Sequence, residues 1–183
     1  MTKPTGAIPL TGDGLSPLTY PGIGQALVQV DSDEHSEDGH ITEDLELHVR
    51  MVDKRMGKTK HMPSLSRKPT FRGEAKADWM VLSWGSNRQI VEEAVWDINK
   101  SGVPLAALHF GQVYPLFPEM IAEWKLEARK LVCLENNATG QFAGLLKREL
   151  GLEIKGNLLK YNGECFTVDE VRDQLLKIME VKP

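Results

Sequence analysis

From residue 77 onward the apolar positions fall into two alternating kinds of run. Short continuous runs, WMVLSW at 79–84, VPLAALHF at 103–110, LVCLE at 131–135 and IKGNLLKY at 154–161, have the length and residue types of buried strands. Between them apolar residues recur every third or fourth position: Ile90, Val91, Ala94, Val95 and Ile98, then Phe142, Leu145, Leu146 and Leu150, then Val171, Leu175 and Ile178. Each set lays one stripe along a helix. A short helix is expected after the Pro115 and Pro118 loop, reaching about Ala128. The punctuation agrees with this reading. Gly102 and Gly151 stand where a left-handed C-cap is wanted, Asn162-Gly163 turns the chain, and Thr167 followed by Glu170 has capping-box spacing. Alternating strands and helices predict a three-layer α/β/α domain with a mostly parallel sheet over residues 77–183.

Residues 1–76 read differently. They hold most of the prolines, half of the glycines and no sustained apolar periodicity, so they are expected to form an extended arm or linker. Charge within them is segregated. An acidic block, Asp31, Asp33, Glu34, Glu37, Asp38, Glu43, Asp44 and Glu46, precedes a basic one containing Arg50, Lys54, Arg55, Lys58, Lys60, Arg67, Lys68, Arg72 and Lys76. Such a pattern suits an arm that lies across something else.

Composition narrows the function classes. With 183 residues, 41% of them hydrophobic, the chain can bury one good core with an extension beside it. A net charge of −4 gives no overall attraction to nucleic acid or anionic lipid, and Phe71 is the only aromatic in the basic block, which disfavours a nucleic-acid surface. Two cysteines, Cys133 and Cys165, are too few for an iron–sulfur cluster or zinc knuckle and are expected as reduced thiols. No apolar signal core opens the chain and no run approaches the ~20 residues of a membrane span, so a cytoplasmic protein without a membrane or nucleic-acid partner is expected.

Candidate chemistry gathers where strands meet helices, because ligands and partners of open α/β sheets meet the carboxyl ends of the strands. One such junction is Glu135-Asn136-Asn137-Ala138-Thr139-Gly140-Gln141. There Thr139 or Asn137 can cap the following helix, Gly140 permits close backbone approach, and Glu135, Asn136 and Gln141 are left to point outward. The other is Ser83-Trp84-Gly85-Ser86-Asn87, which matches neither phosphate-binding glycine pattern and reads as a tight turn with Ser86 or Asn87 as N-cap. Asp31, Asp33, Glu34, His35 and His40 lack the glycine and terminal glutamate of a calcium loop and read as a solvated acidic loop, giving no metal site. His109 reads as a core or edge histidine, and neither cysteine has a local activator. Residue chemistry alone supplies no catalytic set, and a free-standing module binding a small anion or nucleotide at the Gly85-Ser86 and Glu135–Gln141 edge remains open.

Several stretches, taken in order, resemble the C-terminal part of the alpha subunit of 2-oxoacid:ferredoxin oxidoreductases. They are Gly12-Asp13-Gly14-Leu15-Ser16-Pro17 with Pro21-Gly22, Val30-Asp31-Ser32-Asp33-Glu34-His35, Gly39-His40-Ile41-Thr42-Glu43-Asp44, Met51-Val52-Asp53-Lys54-Arg55, Trp84-Gly85-Ser86, Pro115 to Pro118 and Glu135–Gln141. Leu18 stands where that family usually has arginine. The resemblance implies that residues 1–76 follow an absent pyrimidine-binding domain and that residues 77–183 are similar to the C-terminal domain of transketolase. It implies an oxidoreductase complex that decarboxylates a 2-oxoacid such as 2-oxoglutarate or pyruvate to acyl-coenzyme A and passes electrons to ferredoxin. Thiamine diphosphate, magnesium and iron–sulfur clusters are then expected in the whole complex and none on this chain alone. Expected partners are the beta and other subunits, ferredoxin and coenzyme A, with a homodimer through the arm as a further possibility. Gly85, Ser86, Glu135, Asn136, Asn137, Thr139, Gly140 and Gln141 are then candidates for subunit packing and support of a neighbouring active site, with no catalytic or metal-binding residue assigned.

Overall fold

The computed structural model describes residues 10–17, 22 and 33–181, so Leu18, Pro21, Val30, Asp31 and Ser32 lie outside the described residues. The chain divides into two compact units, Met1–Leu65 and Ser66–Pro183. The divide falls before the boundary expected at residue 76, because the sheet of the second unit recruits a strand from the stretch assigned to the arm.

In the first unit the expected extended arm contains helix α1, Leu45–Gly57, followed by a 3₁₀ turn at Lys58–Lys60 and the single turn α2, Met62–Leu65. Asp44 caps α1, its carboxylate accepting from the backbone N–H groups of Glu46 and Leu47, and Lys54 and Arg55 stand in the last turn, where the helix dipole favours cations. The helix escapes a periodicity reading because only Met51 and Lys54 are buried, while Leu45, Val49 and Met56 face outward. Within this unit Glu34 of the acidic block meets Arg55 of the basic one. Arg55 donates to Glu34 through both ends of its guanidinium, at 3.0 and 2.8 Å, and His48 Nδ1 lies 2.8 Å from the same carboxylate. Hydrogen bonding from Arg55 holds the Glu34 carboxyl down at about 2.

The second unit is a three-layer α/β/α fold around one five-stranded sheet. Its elements are β1 (Thr70–Gly73), β2 (Trp79–Trp84), α3 (Arg88–Lys100), β3 (Leu105–Phe110), β4 (Lys130–Glu135), α4 (Gln141–Leu150), β5 (Ile154–Leu159) and α5 (Val168–Ile178). Sheet order is β1-β3-β2-β4-β5. All neighbours run parallel except β1, which pairs antiparallel to β3 from Thr70 opposite His109 to Gly73 opposite Ala106. Because β2, β3 and β4 are covered on both faces, their sequences are continuous apolar runs rather than alternating ones. Met80, Leu82, Leu108, Phe110, Cys133 and Leu146 pack on the α4 face. Val81, Val95, Ile98, Ala107, Val132, Val171 and Leu175 pack on the face that carries α3 and α5. The capping box at Thr167 forms as its spacing indicates, with both reciprocal hydrogen bonds present.

Two elements of the second unit differ from the sequence reading. β1 was absorbed into the arm, since four residues reading TFRG carry no repeat long enough to register. The helix expected before Ala128 is instead three 3₁₀ turns, Pro118–Met120, Ala122–Trp124 and Leu126–Ala128. Lys125, in the left-handed region at φ 46°, separates the last two and prevents a continuous i to i−4 ladder.

Gly73 is placed under close constraint. Its φ is +89°, and a Cβ there would lie 2.4 Å from the Leu105 carbonyl oxygen and 2.9 Å from Val95 Cγ1.

Candidate functional site

The chain leaves β2 toward α3 on one face of the sheet and leaves β4 toward α4 on the other. Because β2 and β4 are parallel neighbours, with Ser83 opposite Leu134, their carboxyl ends flank the point where the connections diverge. This is the crevice at which open α/β sheets receive ligands or partners. Both stretches singled out from the sequence, Gly85-Ser86 and Glu135–Gln141, therefore come to one edge of the sheet.

The role of Glu135 differs from the sequence expectation. It was expected to point outward; it is fully buried. Its carboxylate accepts from the backbone N–H of Phe142 at 2.7 Å and of Ala143 at 2.9 Å, and from the Asn137 side-chain amide at 2.7 Å. The last residue of β4 thus caps α4 from below, its carboxylate meeting the positive end of the helix. Asn137 organises the turn. Its Oδ1 accepts from the backbone N–H of Thr139, Gly140 and Gln141 at 3.1, 2.8 and 3.3 Å. Gly140 enters the helix in the left-handed conformation at φ +64° and gives no side-chain cap. Thr139 is not used as a cap, so its hydroxyl, with Asn136 and Gln141, stays on the exposed surface. The turn borders a cleft of about 410 Å³ between α4 and β5, lined by Thr139, Gly140, Ala143, Lys147, Ile154 and Asn157.

At the other junction Gly85 and Ser86 are exposed. Neither Ser86 nor Asn87 caps α3 with its side chain. Asn87 is turned inward instead, its amide donating to the Trp84 carbonyl at 3.4 Å. Trp84 packs against Phe142 of α4 with ring centroids 6.1 Å apart, and Phe142 meets Phe110 edge-on at 5.1 Å. The indole N–H of Trp84 is buried and finds no hydrogen-bond acceptor among the described residues.

The sequence reading did not pair Ser83 with His109, although each is the lone polar residue near the end of an apolar strand. Ser83 Oγ and His109 Nδ1 lie 3.0 Å apart in the interior. Burial lowers the His109 pKa, and Arg88 adds to the effect against an opposing contribution from Glu92. At acidic pH the unfolded chain consequently binds a proton at this position that the folded chain resists, so stability rises with pH through this range. We expect the stability of wild type relative to His109→Gln to decline as pH falls below the ordinary histidine value of 6.5. Urea unfolding of both proteins between about pH 5 and 8 measures this difference, and a pH-independent difference would contradict it.

The cysteines offer no reactive thiol at the sheet edge. Burial, followed by the charge of Glu135, pushes the Cys133 thiol far above its usual range, and Cys165 is exposed in a distant turn. Among the described residues no three His, Cys, Asp or Glu side chains are grouped to hold a metal ion, and no helix is long and apolar enough to cross a membrane.

No protein-family model matches the chain. Curated relatives do. The chain is 30% identical over 179 residues to 2-oxoacid:ferredoxin oxidoreductase 1, subunit alpha, of Sulfurisphaera tokodaii, covering 93% of this chain and 27% of that protein. It is 28% identical over 176 residues to the alpha subunit of the Saccharolobus solfataricus enzyme, with the same coverage. The chain thus spans about a quarter of the length of these relatives. A solved structure of 2-oxoglutarate:ferredoxin oxidoreductase from Magnetococcus marinus, with 2-oxoglutarate, coenzyme A and succinyl-CoA bound, matches 94% of this chain and 30% of its own at a TM-score of 0.73 and 22% identity. That likeness corroborates the fold.

Proposed function

We propose that this chain, homologous along nearly its whole length to one quarter of the alpha subunit of 2-oxoacid:ferredoxin oxidoreductases, works as the C-terminal portion of such a subunit. The observation that carries this reading is the 30% identity maintained over 93% of the chain. The whole enzyme would oxidatively decarboxylate a 2-oxoacid to acyl-coenzyme A and deliver electrons to ferredoxin. Thiamine diphosphate with magnesium and iron–sulfur clusters would serve it at the level of the complex.

The chain's own part in this reading is assembly. Gly85, Ser86, Asn136, Thr139 and Gln141 lie exposed along the sheet edge, held there by the scaffold of Glu135, Asn137 and Gly140. This is a suitable surface for a neighbouring domain or subunit. In the first unit, Leu45, Val49 and Met56 follow one side of α1 at 80%, 56% and 61% exposure, a spacing that supports packing against another polypeptide.

Co-expression tests the proposal. With a beta subunit and a polypeptide equivalent to the remaining three quarters of the relatives' alpha subunit, the chain is expected to co-purify and to support 2-oxoacid-dependent viologen reduction. The purified chain alone is expected to show none. Substantial turnover by the chain alone, or failure to co-purify with either partner, would overturn it.

A further inference from the structure

The sheet of the second unit stops at β5, and among the described residues no strand pairs with its outer side. The Lys160 N–H donates to the Glu135 carbonyl at 3.1 Å, which fixes the direction of the backbone groups along this strand. Successive residues of a strand turn these groups to alternate sides. Leu158 and Lys160 therefore face β4, while Asn157 and Leu159 aim their N–H and carbonyl groups away from the sheet.

Sheet edges are ordinarily blunted against further pairing. β1, at the opposite edge, is only four residues long and carries Arg72. β5 is blunted at its start alone, where its register against β4 shifts between Leu131 and Val132 and Lys155 stands exposed. From Gly156 to Leu159 the pairing with β4 is regular and no residue is charged.

The cleft of about 410 Å³ between β5 and α4 lies beside this open stretch, with Asn157 and Ile154 on one wall and Ala143, Gly144 and Lys147 on the other. Gly144 is a glycine inside a helix, which weakens the helix. At Gly156 the chain's own packing accounts for the missing side chain, since a Cβ would meet Ile178 Cγ2 at 3.1 Å. At Gly144 it does not: the residue is exposed and a Cβ would meet nothing within 4 Å. A wall without a side chain admits a backbone from outside. Charge selects what enters. Lys147 makes no ion pair among the described residues, whereas Glu153, which also lines the cleft, is held by Lys155 at 3.2 Å.

We infer that β5 and α4 form a docking groove for an extended polypeptide segment of a partner protein, which adds to the sheet as a further strand beside β5 and turns a carboxylate side chain toward Lys147. Hydrogen bonds to the outward N–H and carbonyl groups of Asn157 and Leu159 hold the segment, and alternate side chains enter the cleft. The groove lies on the outer flank of the sheet, apart from the exits of β2 and β4, and the inference stands whether or not the chain serves in an oxidoreductase.

The test is to pan a displayed library of random peptides of about eight residues against the full chain and to titrate the selected peptides calorimetrically. We expect selected sequences rich in β-branched residues with an Asp or Glu at a fixed position, binding with a dissociation constant of about 100 μM or tighter. Methylating alternate backbone nitrogens of a selected peptide is expected to abolish binding, which separates strand addition from docking by side chains alone. Lys147→Glu and Gly144→Leu, both at exposed positions, are each expected to weaken binding by about tenfold or more, and Lys177→Gln, on α5, to leave it unchanged. Asn157→Pro removes an outward N–H and is expected to do the same; should it perturb β5, the methylated peptide and Lys147→Glu still decide. The inference is overturned by a library that yields no saturable binder, by equal binding of the methylated peptide, or by equal affinity in Lys147→Glu and wild type. Sedimentation showing that the chain alone dimerises and that Asn157→Pro separates the dimer would also overturn it, assigning the edge to a second copy.

Discussion

Replacing Glu135 by alanine is expected to destabilise the second unit by about 3–4 kcal/mol, a large share of the total for an ordinary domain. Two losses combine. The carboxylate accepts from the first N–H groups of α4, at Phe142 and Ala143, and removing a helix cap costs about 1 kcal/mol on average. Phe142 and Ala143 are buried, so water cannot readily replace the lost acceptor. Each donor left unsatisfied then adds about 1–3 kcal/mol. Glu135→Gln is expected to cost about 2 kcal/mol, because its single carbonyl oxygen can serve one side of the arrangement while its NH₂ faces a backbone donor on the other. Equilibrium urea unfolding gives both values. Amide exchange should show that Phe142 and Ala143 lose protection earlier in the variants than Val132 in β4. A change below about 0.5 kcal/mol for the alanine variant would mean that the turn recaps itself through Asn137.

Gly73→Ala is expected to cost about 3 kcal/mol, even though the position lies at the sheet edge and is itself exposed. Part of this is conformational: a φ of +89° is costly for an L-residue, by about 1–2 kcal/mol. The rest is the encounter of Cβ with the Leu105 carbonyl oxygen at 2.4 Å. That oxygen cannot easily retreat, since it accepts from the Glu74 N–H at 3.0 Å and from the Asn99 amide at 2.9 Å, while Asn99 Oδ1 in turn holds the Leu105 N–H. Relief must come from β1 leaving β3. Gly156→Ala makes a useful contrast. Its Cβ would meet Ile178 Cγ2 at 3.1 Å, a side-chain atom that can move, so a cost of about 1 kcal/mol or less is expected. Thermal unfolding of the two variants compares them, and equal losses would show that the Leu105 carbonyl is not the obstacle.

The parts of the fold that read correctly from the sequence are those whose signal is local and repeated. Ile90, Val91, Ala94, Val95 and Ile98 announce α3 because one stripe faces one sheet, and Thr167 with Glu170 announces the start of α5 because both halves of the cap lie within four residues. β1 and α1 fail for opposite reasons. β1 is too short to repeat and owes its existence to β3, which lies more than thirty residues further along. α1 sets Leu45, Val49 and Met56 outward among charged residues and buries only Met51 of its apolar side chains, so no sustained stripe marks it.

The candidate site follows the same logic. That Gly85-Ser86 and Glu135–Gln141 occupy the strand ends was legible, because strand-to-helix junctions are recognisable in an α/β sequence. That Glu135 faces inward was not, because its partners are backbone N–H groups and no side chain marks them. The Ser83–His109 pair required knowledge of which strands are neighbours and in what register.

The sheet has one more implication, for how the second unit comes together. No two strands that pair are joined by a hairpin: β1 and β2 follow each other in sequence yet do not touch, and β2 meets β4 only after α3, β3 and the 3₁₀ turns have intervened. Every ladder therefore closes over a long stretch of chain, and the entropy of that closure must be met before its hydrogen bonds form. By topology the domain is expected to fold more slowly than a helical bundle of its size, and β2, flanked by β3 and β4, must dock before either of the ladders it shares can close.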